Sequence, residues 1–283
     1  MKGKVCLINA NLMRPPIGPI GLDYLADALA AAGYAPEVLD LALAADPEAA
    51  LRGYFAAGEP LAVGLTIRNT DDCYFPSGDF LLPEVRRLIG LLREVTSAPI
   101  VAGGVGFSTN PEAALEYLGL ELGIRGDGEH ALPRLLSELA GDRELERVPN
   151  LVWSRGERVI RNRAAYPSLK NTAHSRAFVD NITYFRLGGM GGIETKRGCP
   201  GRCAYCADPV AQGRRSRPRH PGLVADEVER LQQAIGRDER FFLGLREESE
   251  ANYNYNDNEV LERAIAGGMR GAYWDILRRL AEG

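Results

Sequence analysis

Val5-Cys6-Leu7-Ile8 is an uninterrupted apolar run near the start of the chain, and the sequence turns polar at Asn9. Such a run is typical of a short strand that is buried on both faces of a sheet. The segment from Ile20 to Ala32 follows with apolar residues at helical spacing, and Gly33 is placed to end that helix. The order of strand, loop and helix predicts one βα unit of a parallel sheet.

The same order repeats through the N-terminal half of the chain. Further strands are predicted at 38–41, 61–67, 99–102 and 122–124, and further helices at 47–57, 83–95, 111–118 and 131–139. Repeated βα units predict an α/β fold with a doubly wound, Rossmann-like parallel sheet. In such sheets ligands bind outside the carboxyl ends of the strands.

Long or glycine-rich loops follow four of the predicted strands. They cover residues 9–19, 68–79, 103–108 and 126–129. Because these loops share one edge of the sheet, they indicate a single large ligand that the backbone approaches closely. The motif G-x-G-x-x-G does not follow the first strand, so a nicotinamide dinucleotide is not expected.

A second motif lies in the C-terminal half, in the run Lys196-Arg197-Gly198-Cys199-Pro200-Gly201-Arg202-Cys203-Ala204-Tyr205-Cys206. Its three cysteines have the spacing C-x3-C-x2-C. Three soft thiolates this close together can hold three irons of a cubic iron–sulfur cluster. Most such clusters have four cysteine ligands, so the fourth iron would be open to a substrate or cofactor, which is the mark of a catalytic site.

Two other interpretations of these cysteines stay open. They could bind zinc with a fourth ligand such as Cys6, Cys73 or His220, although zinc sites more often have paired C-x2-C spacings. They could also be inert thiols, although three of the five cysteines of the chain fall within eight residues. Spacing and ligand softness favour the cluster.

The cysteine motif, with aromatic Tyr205 just before its last cysteine, resembles the signature of the radical SAM enzymes. In that family the open iron binds the amino and carboxylate groups of S-adenosylmethionine, which electron transfer cleaves to methionine and a 5′-deoxyadenosyl radical. The resemblance implies that Cys199, Cys203 and Cys206 are ligands of a 4Fe-4S cluster. It also implies that Tyr205 contacts the adenine side of S-adenosylmethionine.

The N-terminal half resembles the cobalamin-binding domain that precedes the catalytic domain in one large class of radical SAM enzymes. The match lies in Gly103-Gly104-x-Gly106, in Gly126-Asp127-Gly128-Glu129 and in the order of the two modules. The cobalamin contacts that the resemblance implies are Asn11, Arg68, Asn69, Gly103, Gly104, Gly106, Gly126 and Glu129. The first loop departs from the pattern because it has no Asp-x-His-x-x-Gly motif. Either cobalt has no histidine ligand, or cobalamin is not bound.

Three segments are predicted. Residues 1–147 form the cobalamin-binding domain, residues 148–192 a hairpin and interdomain linker, and residues 193–283 a partial radical SAM (β/α) barrel. The first barrel strand is expected at 192–196, the first helix at 220–235 and a further strand at 241–245. An eight-unit barrel takes about 250 residues, so this segment has room for only about three units. A shortened barrel exposes a sheet edge, so a partner subunit that completes it is expected.

The composition is ordinary for a soluble globular protein, with 45% hydrophobic and 25% charged residues in 283. No apolar run approaches the ~20 residues that span a bilayer, and the N-terminal apolar stretch is too short for a signal peptide, so a cytoplasmic location without a membrane partner is expected. The net charge of −4 hides a basic region, which is densest at 214–219. That region is interpreted as a solvated loop or as charge balance for the cofactors, rather than as a nucleic-acid site.

The leading hypothesis is a cobalamin-dependent radical SAM enzyme. The resemblance implies methyl transfer to an unactivated centre of a small molecule or peptide, with an electron donor such as a ferredoxin or flavodoxin. The alternative is a catalytically impaired remnant that binds the cluster and cobalamin and acts in binding or electron transfer. A zinc-stabilised α/β binding protein is the third hypothesis. The sequence does not identify catalytic residues.

Overall fold

The computed structural model describes residues 2–72, 76–188, 192–204 and 206–235. It divides the chain into two units, Met1–Tyr166 and Pro167–Gly283. Tyr205 and the strand expected at 241–245 lie outside the described residues.

The first unit is built on a seven-stranded sheet with the order β2-β1-β3-β4-β5-β6-β7. The strands are β1 (Lys4–Asn9), β2 (Ala35–Asp40), β3 (Ala62–Thr66), β4 (Ile100–Gly103), β5 (Leu122–Ile124), β6 (Leu151–Arg155) and β7 (Arg158–Arg161). The first five strands pair in parallel, and β6 and β7 are antiparallel. The prediction of an α/β fold with a doubly wound sheet is confirmed.

Helices connect the parallel strands. They are α1 (Ile20–Ala31), α2 (Pro47–Ala56), α3 (Leu82–Val95), α4 (Val105–Thr109), α5 (Pro111–Leu118) and α6 (Gly128–Ala140). Local chemistry explains the start of α2. The Asp46 side chain accepts a hydrogen bond from the backbone N of Ala49 at 3.0 Å, and Pro47 occupies the first turn.

The core lies on both faces of the sheet. Val5, Cys6, Leu7 and Ile8 are all 0% exposed, although alternate residues of a strand point to opposite faces. Cys6 and Ile8 belong to a cluster of buried side chains that also contains residues of α2, α3 and α5. Full burial of an aliphatic side chain contributes about 1.5–3 kcal/mol, so the continuous apolar run that identifies this strand also stabilises it.

Two features of the first unit differ from the expectation. Residues 105–109 form the short helix α4, where a glycine-rich loop was expected. The hairpin of β6 and β7 is part of the sheet, because β6 pairs with β5, and the first unit therefore extends to Tyr166 where the predicted domain ends at residue 147.

The described part of the second unit contains short elements around the cysteine motif. They are α7 (Asn181–Arg186), β8 (Lys196–Arg197), α8 (Asp208–Gln212), β9 (Arg217–Pro218) and α9 (Pro221–Ile235). β8 and β9 form a two-stranded antiparallel sheet. Helix α9 agrees with the helix predicted at 220–235, and it packs an apolar stripe that includes Val228 and Leu231 against Phe185 and Ile193.

Candidate functional site

The strand order places a switch of direction between β1 and β3. The chain moves from β1 to β2 on one side and then crosses to β3 on the other. Ligands of doubly wound sheets bind at this point, outside the carboxyl ends of the strands. The loops after β1, β3, β4 and β5 all start from this edge.

Side chains order the loop after β1. The Asn9 side chain, which is 1% exposed, donates from Nδ2 to Asp40 Oδ1 at 2.8 Å. Its own Oδ1 accepts from the backbone N of Asn11 at 3.2 Å, and Asn11 Oδ1 accepts from the backbone N of Met13 at 3.3 Å. The sequence analysis named Asn11 and missed Asn9 and Asp40. The sequence does carry a signal for Asn9 and Asp40, because each is a polar residue at the end of a strand and the two strands are neighbours.

Contacts join the loop after β1 to the loop after β3. Asn69 Nδ2 donates to Met13 Sδ at 3.6 Å, and Arg68 Nη1 donates to Asn69 Oδ1 at 3.4 Å. Arg68 is exposed, whereas Asn11 and Asn69 are half-buried. Three of the predicted contacts, Asn11, Arg68 and Asn69, are therefore gathered at the switch point.

The glycine turn after β4 packs on the backbone after β3. Gly104 has φ of 96°, and a Cβ there would approach the carbonyl oxygen of Ile67. A Cβ on Gly106 would lie 2.9 Å from the backbone carbon of Asn69, and the N of Gly106 donates to the carbonyl of Arg68 at 2.9 Å. These two glycines thus bring the turn against Arg68 and Asn69. Gly103 has more room, because its Cβ would be 3.7 Å from the nearest carbonyl oxygen.

A buried serine hydroxyl ties the loop after β5 to the turn after β4. Ser108 is 1% exposed. Its Oγ donates to the carbonyl of Gly104 at 2.7 Å and accepts from the backbone N of Gly126 at 2.9 Å. Gly126 has φ of 75°, and Glu129 is half-buried in the first turn of α6. The sequence analysis missed Ser108, although it directly follows the glycine turn.

Two buried nitrogens at this edge have no hydrogen-bond acceptor within the described residues. They are Nδ2 of Asn11 and Nε of Arg125, the residue that follows β5. A buried donor without an acceptor is costly. Both donors therefore fit a ligand that brings acceptor oxygens, as the amide and phosphate groups of cobalamin do. The sequence analysis did not single out Arg125.

The start of the cysteine loop in the second unit is held by backbone contacts. Gly198 has φ of 80°, and a Cβ at this position would overlap the carbonyl oxygen of Arg215. The backbone N of Cys199 donates to the carbonyl of Gly213 at 3.0 Å. Cys199 is 5% exposed, and Cys203 and Cys206 are half-buried. The three cysteines are not in disulfides.

The sulfurs of Cys199 and Cys203 border one open space. The backbone N of Gly201 donates to Cys199 Sγ at 3.4 Å. A Cβ on Gly201 would lie 3.2 Å from Cys199 Sγ and 3.8 Å from Cys203 Sγ, so a side chain there would fill this space. Soft thiolates around a space that only glycine leaves open fit an iron–sulfur cluster. Within the ranges that the structure describes, no three His, Cys, Asp or Glu side chains are grouped closely enough to hold a single metal ion.

The residues proposed as a fourth zinc ligand have other surroundings. Cys6 lies in the core of the first unit, and burial raises the pKa of its thiol to about 12. A raised pKa keeps the thiol protonated, and zinc binds the thiolate. His220 Nδ1 accepts from the backbone N of Gly222 at 3.1 Å. Cys73 lies outside the described residues.

The basic region at 214–219 is only partly solvated, which corrects the sequence interpretation. Arg214 and Arg215 are exposed, but Arg217 and Arg219 are 9% and 3% exposed. Arg217 donates from Nη1 to the carbonyl of Pro167 and from Nη2 to that of Gln212, both at 3.0 Å. Arg219 donates from Nη1 to the carbonyl of Glu194 at 2.7 Å, so both buried arginines donate to backbone carbonyls of the second unit.

Within the described ranges, no helix combines the length and the apolar character needed to cross a bilayer.

Comparison with known proteins agrees with this geometry. Residues 13–136 match the family described as the B12 binding domain. The chain is 36% identical to tryptophan 2-C-methyltransferase of Streptomyces laurentii, in an alignment that covers 81% of this chain and 47% of that protein.

Solved structures show the same relationship. The radical S-adenosylmethionine methyltransferase TsrM from Kitasatospora setae, with cobalamin and a [4Fe-4S] cluster bound, superposes with a TM-score of 0.75 at 36% identity, over 82% of this chain and 46% of that one. A second structure of TsrM contains tryptophan as substrate and a SAM analogue. The cobalamin-dependent radical enzyme OxsB shares the fold, with a TM-score of 0.68 at 20% identity, over 84% of this chain and 32% of that one.

The chain spans about half the length of the curated relatives that it matches. Its matched B12 binding domain, residues 13–136, precedes the C-x3-C-x2-C loop at 199–206. Residues 13–136 therefore match the B12 binding domain, and the chain is similar in sequence and fold to the radical SAM methyltransferase TsrM.

Proposed function

We propose that this chain is the cobalamin- and cluster-binding part of a radical SAM methyltransferase that acts on tryptophan or a closely related indole. The observation that carries the proposal is the 36% identity to tryptophan 2-C-methyltransferase. The structural match to TsrM in complex with tryptophan and a SAM analogue supports the same substrate class.

The thiolates of Cys199, Cys203 and Cys206 are proposed to hold three irons of a 4Fe-4S cluster. Tyr205 is proposed to contact the adenine side of S-adenosylmethionine. When bound, the cluster and cobalamin supply electron transfer and methyl transfer between S-adenosylmethionine and the substrate. The protein contributes a fixed loop, because Gly198 and Gly213 anchor it by backbone contacts.

At the sheet edge, cobalamin is proposed to lie on the loops that carry the predicted contacts. Asn11, Arg68 and Asn69 supply side-chain donors, and Gly103, Gly104, Gly106, Gly126 and Glu129 lie on the neighbouring loops. The orphaned donors of Asn11 and Arg125 support this placement, because a bound cofactor gives them acceptors. The hydrogen bonds of Asn9 and Ser108 hold the loops in place before the cofactor arrives, which lowers the ordering cost of binding.

Several further points are proposals of the same kind. A reducing protein such as a ferredoxin or flavodoxin would deliver electrons. A cytoplasmic location is also proposed, because thiols stay reduced there and can serve as cluster ligands.

A second candidate function is binding of the cofactors without turnover, in a binding or electron-transfer role. The alignment covers 47% of tryptophan 2-C-methyltransferase, and this candidate assigns cofactor binding alone to the aligned part. It predicts the same cofactor content as the first candidate and no methylated product.

One experiment separates the candidates. The chain is reconstituted without oxygen, loaded with hydroxocobalamin and incubated with reductant, tryptophan and S-adenosylmethionine that carries a deuterated methyl group. The proposed function predicts methylated tryptophan with the label, detected by mass spectrometry. A chain that holds both cofactors and forms no labelled product favours the second candidate. A chain that binds zinc and no iron contradicts both.

A further inference from the structure

Three buried charged side chains form one cluster in the second unit. Arg176, Arg219 and Glu227 have side chains that are 3%, 1% and 0% exposed. Glu227 Oε1 lies 3.0 Å from Arg176 Nη1, and Glu227 Oε2 lies 2.7 Å from Arg219 Nη2. The second contact is an ion pair by distance rather than an aligned hydrogen bond. We refer to these three residues as the Arg–Glu–Arg cluster.

The two arginines also hold the backbone that leads into the cysteine loop. Arg176 Nη1 donates to the carbonyl of Gly192 at 2.8 Å. Arg219 Nη1 donates to the carbonyl of Glu194 at 2.7 Å. This segment continues through β8 to Cys199. The cluster therefore fixes two alternate carbonyls of the segment that delivers the first cysteine.

The same side chains also fix the stretch that follows Tyr166. Arg176 Nη2 donates to Asn181 Oδ1 at 2.7 Å, and Arg219 Nε donates to the carbonyl of Thr172 at 3.3 Å. Glu227 itself belongs to α9. Through the two arginines, the Glu227 carboxylate on α9 thus connects the stretch after Tyr166 with the segment that leads into the cysteine loop.

Joining these stretches with buried charged side chains carries a large desolvation penalty. Well-packed apolar residues of similar volume are often as stable as a buried ion pair, whereas removal of one partner leaves an uncompensated buried charge. A guanidinium group, however, can donate to a carboxylate and to a carbonyl at the same time. The arrangement is therefore suited to set a backbone position rather than to add stability alone.

We propose that Glu227 is a positioning residue for the cysteine loop. By holding Arg176 and Arg219, it sets the path of residues 192–195 and so the place of Cys199. The inference rests on the proposed function, because the proposed function assigns an iron–sulfur cluster to the loop that Glu227 positions.

The test compares Glu227→Gln with Glu138→Gln in the 283-residue chain. Glu138 is the matched control, because it is 7% exposed and pairs with Arg134 at 2.7 Å on α6 in the first unit. Hydrogen exchange on iron-free protein is expected to be about tenfold faster at the amides of 192–199 in Glu227→Gln. After anoxic reconstitution, this variant is expected to hold less than about half of the wild-type iron at equal folded fraction. Glu138→Gln is expected to match the wild type in both measurements.

Arg219→Lys keeps the test valid if Glu227→Gln does not fold. Lysine retains the charge but cannot present the same fork of donors, so the same local increase in exchange is expected. Unchanged exchange at 192–199 in both variants, with wild-type iron content, would overturn the inference. If the wild type takes up no iron, the proposed function fails, and the exchange measurement alone decides whether Glu227 positions the loop.

Discussion

Gly198 and Gly201 show at the level of single residues why the cysteine loop needs its glycines. Gly198 has φ of 80°, and its position leaves no room for a Cβ beside Arg215. Gly201 leaves open the space between the sulfurs of Cys199 and Cys203. The first glycine sets the direction of the loop, and the second leaves a volume that the cluster is proposed to fill.

Gly198→Ala is expected to remove most of the bound iron. A non-glycine residue in this conformation costs about 1–3 kcal/mol, and its methyl group would also push the loop away from Arg215. Iron content after anoxic reconstitution is the measurement, and Gly53→Ala is the control, since nothing lies within 4 Å of its Cβ. Equal iron content in both variants would contradict this reasoning.

The structure identifies Arg125 as a candidate cobalamin contact, which the sequence alone did not indicate. Arg125→Gln is expected to weaken cobalamin binding by about tenfold, because a hydrogen bond to a charged group is worth about 1.5–3 kcal/mol. Titration of the protein with hydroxocobalamin, followed by absorbance, measures the change. Arg134→Gln is the control, since that side chain is 46% exposed and pairs with Glu138. An unchanged affinity in Arg125→Gln would show that its buried nitrogen serves another purpose.

At the scale of elements, the loops at the sheet edge act as one piece because hydrogen bonds join them. The hydroxyl of Ser108 at the end of α4 links the turn after β4 to the loop after β5. Asn69 links the loop after β3 to the loop after β1. Each link joins residues that are far apart in the sequence.

Ser108→Ala is expected to lower the free energy of unfolding by about 1–3 kcal/mol, because it leaves the half-buried backbone N of Gly126 without its acceptor. Urea unfolding measures the change. Thr109→Ala is the control, since its hydroxyl donates to the carbonyl of Gly106 within α4, and a smaller loss is expected. If the free energy of unfolding fell no more in Ser108→Ala than in Thr109→Ala, the Ser108 hydroxyl would not stabilise the contact between these two loops.

The same elements show which parts of the fold could be predicted from the sequence. Strand β5 and helix α5 were predicted at their observed bounds, because apolar spacing and flanking prolines and glycines are local signals. Helix α4 was expected as a loop, because glycines at 104 and 106 disfavour a helix by propensity, whereas packing on the backbone after β3 holds it. The roles of Ser108 and Arg219 were not predictable, since each depends on partners that only the folded chain brings near.

At the scale of the whole molecule, two units carry two cofactor modules. The order of the modules and the three cysteines were available from the sequence alone. The match of residues 13–136 to the B12 binding domain and the structural match to TsrM agree with the resemblance to cobalamin-binding radical SAM enzymes. The basic region was interpreted as a solvated loop or as charge balance for the cofactors, and the structure shows that part of it hydrogen-bonds to backbone carbonyls within the second unit.

The most direct test of the central claim is the iron content of single cysteine variants after anoxic reconstitution. The wild type and Cys6→Ala, which changes only a core residue, are predicted to bind about four irons per chain, while Cys199→Ala, Cys203→Ala and Cys206→Ala each lose most of them. If any one of these three variants kept full iron content and still cleaved S-adenosylmethionine, the assignment of the cysteine loop as the cluster site would be contradicted.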